Sequence, residues 1–179
     1  MLTNKRRYVS FWTEIEMEKL KKELIKLLSD NARYSYAQMG AMLGEDEKVI
    51  ETAVKQLEKD GVIVKYTAIL NTEVMAHKNV QALIEVKVAP QKLKGFDSCA
   101  EEIYSFPEVT SLYLMSGGFD LAVFVEGKTL EDVARFVAEK LSVIDGIIGV
   151  QTHFILRKYK IEGQITKKSE ESKRQIIQA

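Results

Sequence analysis

VTSLYLMSGGFDLAVFVEG, Val109 to Gly127, holds two runs of β-branched, aromatic and aliphatic residues with a glycine pair between them. Such runs read as strands. Gly117-Gly118 fits a two-residue hairpin loop, in which glycine supplies the positive φ of a tight turn. Upstream, NVQALIEVKVAP alternates as a strand that stops at Pro90, and LKGFDSCAEEIYSF sets Phe96, Ala100 and Ile103 on one helical face. Downstream, Thr129 and Asp132 cap a helix carrying Leu130, Val133, Val137 and Leu141, and VQTHFILRKYK supplies a last strand. The order strand, helix, strand, strand, helix, strand is the split βαβ of ferredoxin-like folds.

The first part of the chain has another rhythm. Met17, Leu20, Leu24, Leu27 and Leu28 recur at helical spacing between Glu14 and Ser29. NARYS breaks the pattern, and Ser35 with Gln38 has the form of a capping box opening a short helix, YAQMGAML. Leu43-Gly44 ends it, Asp46 can cap the next helix, and Val49, Ile50, Ala53, Val54 and Leu57 form a stripe that stops at Asp60-Gly61. VIVKYTAIL then reads as a strand or small wing, so the layout is that of a winged helix-turn-helix. The fold class expected is α+β, with a helix-turn-helix over 1–62, a β segment and linker over 63–78, a ferredoxin-like domain over 79–162 and a polar tail over 163–179. That tail is expected to be mobile unless Ile176 and Ile177 dock it.

With 179 residues, 46% of them apolar, the chain can bury a core without staples. Its 26 basic and 26 acidic residues balance, so no global field advertises a nucleic-acid or membrane partner. Cys99 alone has no partner for a disulfide, zinc or redox pair. Lys5, Arg6 and Arg7 resemble the start of a signal peptide, but acidic residues follow before a hydrophobic stretch develops, and no apolar window is long enough to cross a membrane. A protein of the reducing cytoplasm is expected, with no cofactor and no metal. His77 and His153 lack a local nucleophile or carboxylate partner, which argues against catalysis. SLYLM and LAVFV are almost continuously apolar, as in strands buried on both faces. Two helices can cover only one face, so a second copy is expected on the other, giving a homodimer.

NARYSYAQMGAMLG, LEKDGVIVKYTAILN, SGGFDLAVFVEG and DGIIGVQTHFILRKYK, in that order from about Met17 to Tyr159, resemble the Lrp/AsnC feast/famine regulators. The resemblance implies a transcription regulator with a RAM-type C-terminal domain, double-stranded DNA as partner, assembly into dimers and possibly octamers, and an amino acid as effector. It places the effector near the glycine hairpin. There the backbone of Gly117 and Gly118 can hold a carboxylate and Asp120 an ammonium, with Ser116, Phe119, Gln151 and Thr152 as further candidates. The helix matching the family's groove reader, GEDEKVIETAVKQLEKDG, has no arginine and carries Glu45, Asp46, Glu47 and Glu51. Acids face a phosphate polyanion badly, though near a helix start they complement its dipole. Arg33, Lys48, Thr52, Lys55, Lys65 and the arm Lys5, Arg6 and Arg7 remain as candidate DNA contacts, helped by linkage of several heads in one oligomer. Two rivals stand beside this reading. One is a ligand-sensing oligomer with degenerate DNA binding; the other is an enzyme of the related sirohaem-decarboxylase architecture.

Overall fold

The computed structural model describes residues 3–72, 75, 78–89 and 96–166, with side chains in the first helix from residue 16 onward. Two compact units result, Met1–Ala68 and Ile69–Ala179.

In the first unit α1 spans Thr3–Asp30, α2 Tyr36–Leu43 and α3 Glu47–Lys59. The expected capping box forms: the Ser35 hydroxyl accepts from the Gln38 N–H at 3.1 Å, and the Ser35 N–H donates to the Gln38 side chain at 2.9 Å. Gly44 ends α2 in the left-handed region at φ 73°, and the Asp46 carboxylate accepts from the Lys48 N–H at 2.9 Å to open α3. Leu24, Met39, Ile50, Ala53, Val54 and Leu57 are the buried core of this unit. A Cβ on Gly40 would lie 2.7 Å from the Glu45 carbonyl oxygen, so only a bare backbone lets α2 sit this close to the turn that leads into α3. The strand expected over VIVKYTAIL is not seen: residues 62–70 pair with no strand among the described residues, and Val64 is 90% exposed. A β ladder needs a second row of N–H and C=O groups, which β propensity alone does not supply.

In the second unit β1 (Val80–Val88), β2 (Val109–Leu114), β3 (Leu121–Gly127) and β4 (Ile147–Phe154) form one antiparallel sheet of order β2-β3-β1-β4. α4 (Asp97–Tyr104) links β1 to β2, and α5 (Leu130–Phe136) links β3 to β4 through a π-helical turn at Val137–Leu141. Ile84, Val86, Leu121, Val123 and Val125 pack under Cys99, Ile103, Val133, Phe136 and Leu141. Phe136 is in this core, whereas Leu130, expected on the apolar face, is 54% exposed; the π turn then brings Leu141 back inward. The last strand ends at Phe154, earlier than expected. Part of the expected tail is structured. β5 (Lys160–Ile161) pairs with β6 (Gln164–Ile165), Thr166 is buried, and its hydroxyl donates to the Lys158 carbonyl. Its own carbonyl accepts from Asn71 Nδ2 at 2.9 Å. Ile176 and Ile177 lie outside the described residues, as do His77 and Pro90.

The face of the sheet away from the helices is less apolar than the sequence implies. By register and alternation it carries Leu83, Tyr113, Ala122 and Phe124, but also Gln81, Glu85, Lys87, Glu126, Gln151 and His153. Tyr113 stands edge-on to Phe124, with ring centroids 5.9 Å apart, and closes over Ala122, which is only 4% exposed. An unbroken apolar run in β3 thus partly reflects cover from neighbours in the same sheet.

Candidate functional site

The buried stripe of α3 (Ile50, Ala53, Val54, Leu57) fixes which side faces out. At about 100° per residue, Lys48, Thr52 and Lys55 fall on the opposite side, spanning about 10 Å of axis. All three are exposed, and Lys59, not singled out from the sequence, continues the same stripe. Helical periodicity anchored on the buried residues is the signal that finds it. Glu47, Glu51 and Glu58 gather on one flank, roughly 60–100° away. The acids therefore border the basic stripe and do not interrupt it.

Two of these candidates are engaged within the helix. Lys55 donates to Glu51 at 2.6 Å, a hydrogen bond that holds its ammonium above the usual lysine range. The Thr52 hydroxyl donates to the Lys48 carbonyl at 2.7 Å, which leaves its lone pairs outward; in this rotamer it offers no proton to a phosphate. Arg33 and Lys65 are exposed but off the stripe, on the turn before α2 and on the segment after α3. Lys5, Arg6 and Arg7 fall in the first turns of α1, where an arm was expected, and their side chains lie outside those described.

In the second unit the hairpin departs from its expected form. The Met115 N–H donates to the Asp120 carbonyl at 2.8 Å, so the loop is Ser116–Phe119, four residues long and not two. Neither Gly117 nor Gly118 has positive φ, and a Cβ on either would meet nothing within 4 Å. Turn sterics therefore do not explain the pair; what remains is bare, exposed backbone that a ligand can approach closely. Asp120 is half-buried. Its Oδ2 accepts from the Val88 N–H at 2.8 Å and its own N–H donates to the Val86 carbonyl at 3.0 Å, latching the hairpin to the end of β1. Oδ1 accepts from no described residue.

Gln151 and Thr152 are not brought to this loop within one chain. Gln151 pairs with Glu85 and Thr152 with Ile84, on opposite faces of the sheet. β1 separates β4 from β3, so two strand spacings and a three-residue offset put Thr152 roughly 14 Å from Asp120. Sequence reading also left His153 isolated, yet its Nε2 lies 3.2 Å from Glu85 Oε1, a pairing that only the β1–β4 register reveals.

Comparison with known proteins settles what these two units are. Residues 17–64 match the winged helix-turn-helix DNA-binding family, and residues 81–165 match the Lrp/AsnC ligand binding domain. The HTH-type transcriptional regulator YugG of Bacillus subtilis is 41% identical over 156 residues, covering 87% of this chain and 94% of that protein. The chain belongs to the Lrp/AsnC family. It is a transcriptional regulator with a DNA-binding helix-turn-helix and a ligand-binding domain. A second relative, the regulator PH0140 of Pyrococcus horikoshii, is 31% identical and covers 79% of this chain and 87% of its own length. Among Lrp/AsnC folds already solved, Escherichia coli AsnC superposes with a TM-score of 0.62 at 20% identity, covering 83% of this chain and 97% of that one. The regulator NMB0573 of Neisseria meningitidis, solved in complex with L-Met, gives 0.61 at 23% identity, covering 80% and 92%. No helix among the described residues is long and apolar enough to cross a membrane.

Proposed function

We propose that this Lrp/AsnC regulator responds to a free α-amino acid and acts on double-stranded DNA as a homodimer or a higher oligomer in the cytoplasm. The observation that carries the effector reading is the hairpin. Gly117 and Gly118 expose main-chain N–H groups that neither φ nor crowding requires to be bare, and Asp120, two residues on in the chain, keeps Oδ1 without a described partner as a site for an ammonium group. The L-Met found with NMB0573 is in keeping with a ligand of this class. Ser116 and Phe119 are on the same loop; Gln151 and Thr152, too distant within one chain, enter such a site only from a second copy. A site shared between copies makes ligand binding and assembly one linked equilibrium.

The test is a thermal-shift panel of amino acids on the full chain, repeated with Asp120→Asn. Alanine is a poor choice, since it also removes the Val88 latch, a charge-assisted bond with a net contribution of about 1.5–3 kcal/mol. Asparagine retains the acceptor and loses only the charge. Amino acids should raise the melting temperature of the parent and leave the variant unmoved; equal shifts in both would remove Asp120 from the site. On the DNA side, Lys48, Lys55 and Arg33, with Lys65, Thr52 and the Lys5, Arg6 and Arg7 segment, are the proposed contacts. With three lysines balanced by three glutamates in α3, each head grips weakly and pairing of heads supplies the affinity. The same balance favours one alternative, a ligand-responsive oligomer whose DNA grip has decayed. A mobility shift on the chain's own upstream region at low salt separates the two.

A further inference from the structure

The glutamate flank of α3 borders a cavity of about 410 Å³ lying wholly within the first unit. Its rim is aromatic: Tyr34 and Tyr36 come from the turn that starts α2, and Tyr66 from the segment after α3. Glu47, in the first turn of α3, and Glu58, near its end, line the same space, while Met39 lies at its buried base. No lysine, arginine or histidine is among the lining residues. Lys55, close enough to interact with Tyr36 and Glu58, is hydrogen-bonded to Glu51 instead. The Tyr66 hydroxyl donates to Glu58 Oε1 at 3.0 Å, which holds that ring against the helix, and Glu58 Oε2 accepts from no described residue.

We propose that this tyrosine and glutamate cavity binds a small organic cation with an alkylammonium or quaternary ammonium head. The chemistry of the lining selects that class. Aromatic rings attract a cation through their quadrupole and carboxylates attract it through their charge, whereas an anion is repelled by both and a neutral aliphatic gains nothing from the carboxylates. The position gives binding a consequence: at the Glu58 end of the cavity the ligand lies between α3 and Tyr66 of the unpaired segment, since Glu47 and Glu58 stand roughly 16 Å apart along the helix and a small cation reaches only one of them. Occupancy ties that segment to the DNA-binding helix and neutralises an acid beside the basic stripe. The inference does not rest on the amino-acid reading, which concerns the other unit.

The test titrates the full chain with choline chloride, with sodium chloride at equal ionic strength, and with the neutral alcohol carrying a tert-butyl group in place of the trimethylammonium, following tyrosine fluorescence. Choline is expected to bind with a millimolar dissociation constant, and the alcohol at least about fivefold more weakly. Joint Glu47→Gln and Glu58→Gln substitution, which keeps shape and removes charge at two exposed positions, should weaken choline by about fivefold or more. Tyr66→Phe, which retains the ring, should bind within about twofold of the parent. Any one of three results overturns the proposal: no choline signal beyond the salt control, equal binding of the alcohol, or undiminished choline binding by the double glutamine variant.

Discussion

Gly40 and Tyr66 show how single residues act through what surrounds them. In an ordinary helix interior, exchanging glycine for alanine gains about 1 kcal/mol. At Gly40 the new methyl would press on the Glu45 carbonyl at 2.7 Å, and a backbone atom cannot swing aside. Overpacking of this kind costs about 1–3 kcal/mol, so Gly40→Ala should lower the urea midpoint of the first unit despite the better helix former. A raised midpoint would show that the turn can yield. Tyr66 is pushed up to about 12, first by burial and then by its bond to Glu58. A raised folded value means that this contribution to stability is complete below the ordinary tyrosine value of 10.0 and is lost as pH rises from there towards 12. Melting temperature over that alkaline range should fall more steeply in the parent than in Tyr66→Phe.

At the scale of the element, α3 carries the DNA question. From its composition it is a helix of no net charge; from its geometry it is a lysine stripe with a glutamate border. Removing Glu51 would release Lys55 from its 2.6 Å pair. Glu51→Gln should therefore tighten binding to any duplex, and Lys55→Gln should weaken it across sequences and reduce the salt slope by about one. Fluorescence anisotropy with labelled duplexes over a salt series measures both; a slope unchanged by Lys55→Gln would take that lysine off the phosphates. The elements themselves were legible wherever a local signal existed. Ser35 and Gln38, Asp46, Gly44, and Thr129 with Asp132 all mark helix ends in the sequence and all do so in the structure. VIVKYTAIL was misread because β-branched residues report willingness to pair, and the partner strand is not a local property.

At the scale of the molecule, the open face of the sheet is the surface on which copies would meet in the proposed dimer. Leu83 sits at its centre on β1, with the Glu85–His153 pair and the Gln81–Glu126 bond beside it. An unpaired charge buried there costs several kcal/mol. Leu83→Asp should consequently reduce the sedimentation mass to that of one chain while the circular dichroism of the helices persists, since the core lies on the other face. A variant that still sediments as a dimer would place the interface elsewhere.

Periodicity, caps and breakers alone determined two units, a three-helix head and a split βαβ sheet, because each of those signals acts between residues a few positions apart. Only the tertiary structure decided that the hairpin glycines are bare without steric need, that one Asp120 oxygen is already taken, that Thr152 lies far from the loop, and that Glu58 of α3 meets Tyr66. Those facts depend on strand register and on which helix face is buried. Both are set by contacts between residues distant in the chain, and such contacts leave no mark in any short stretch of sequence.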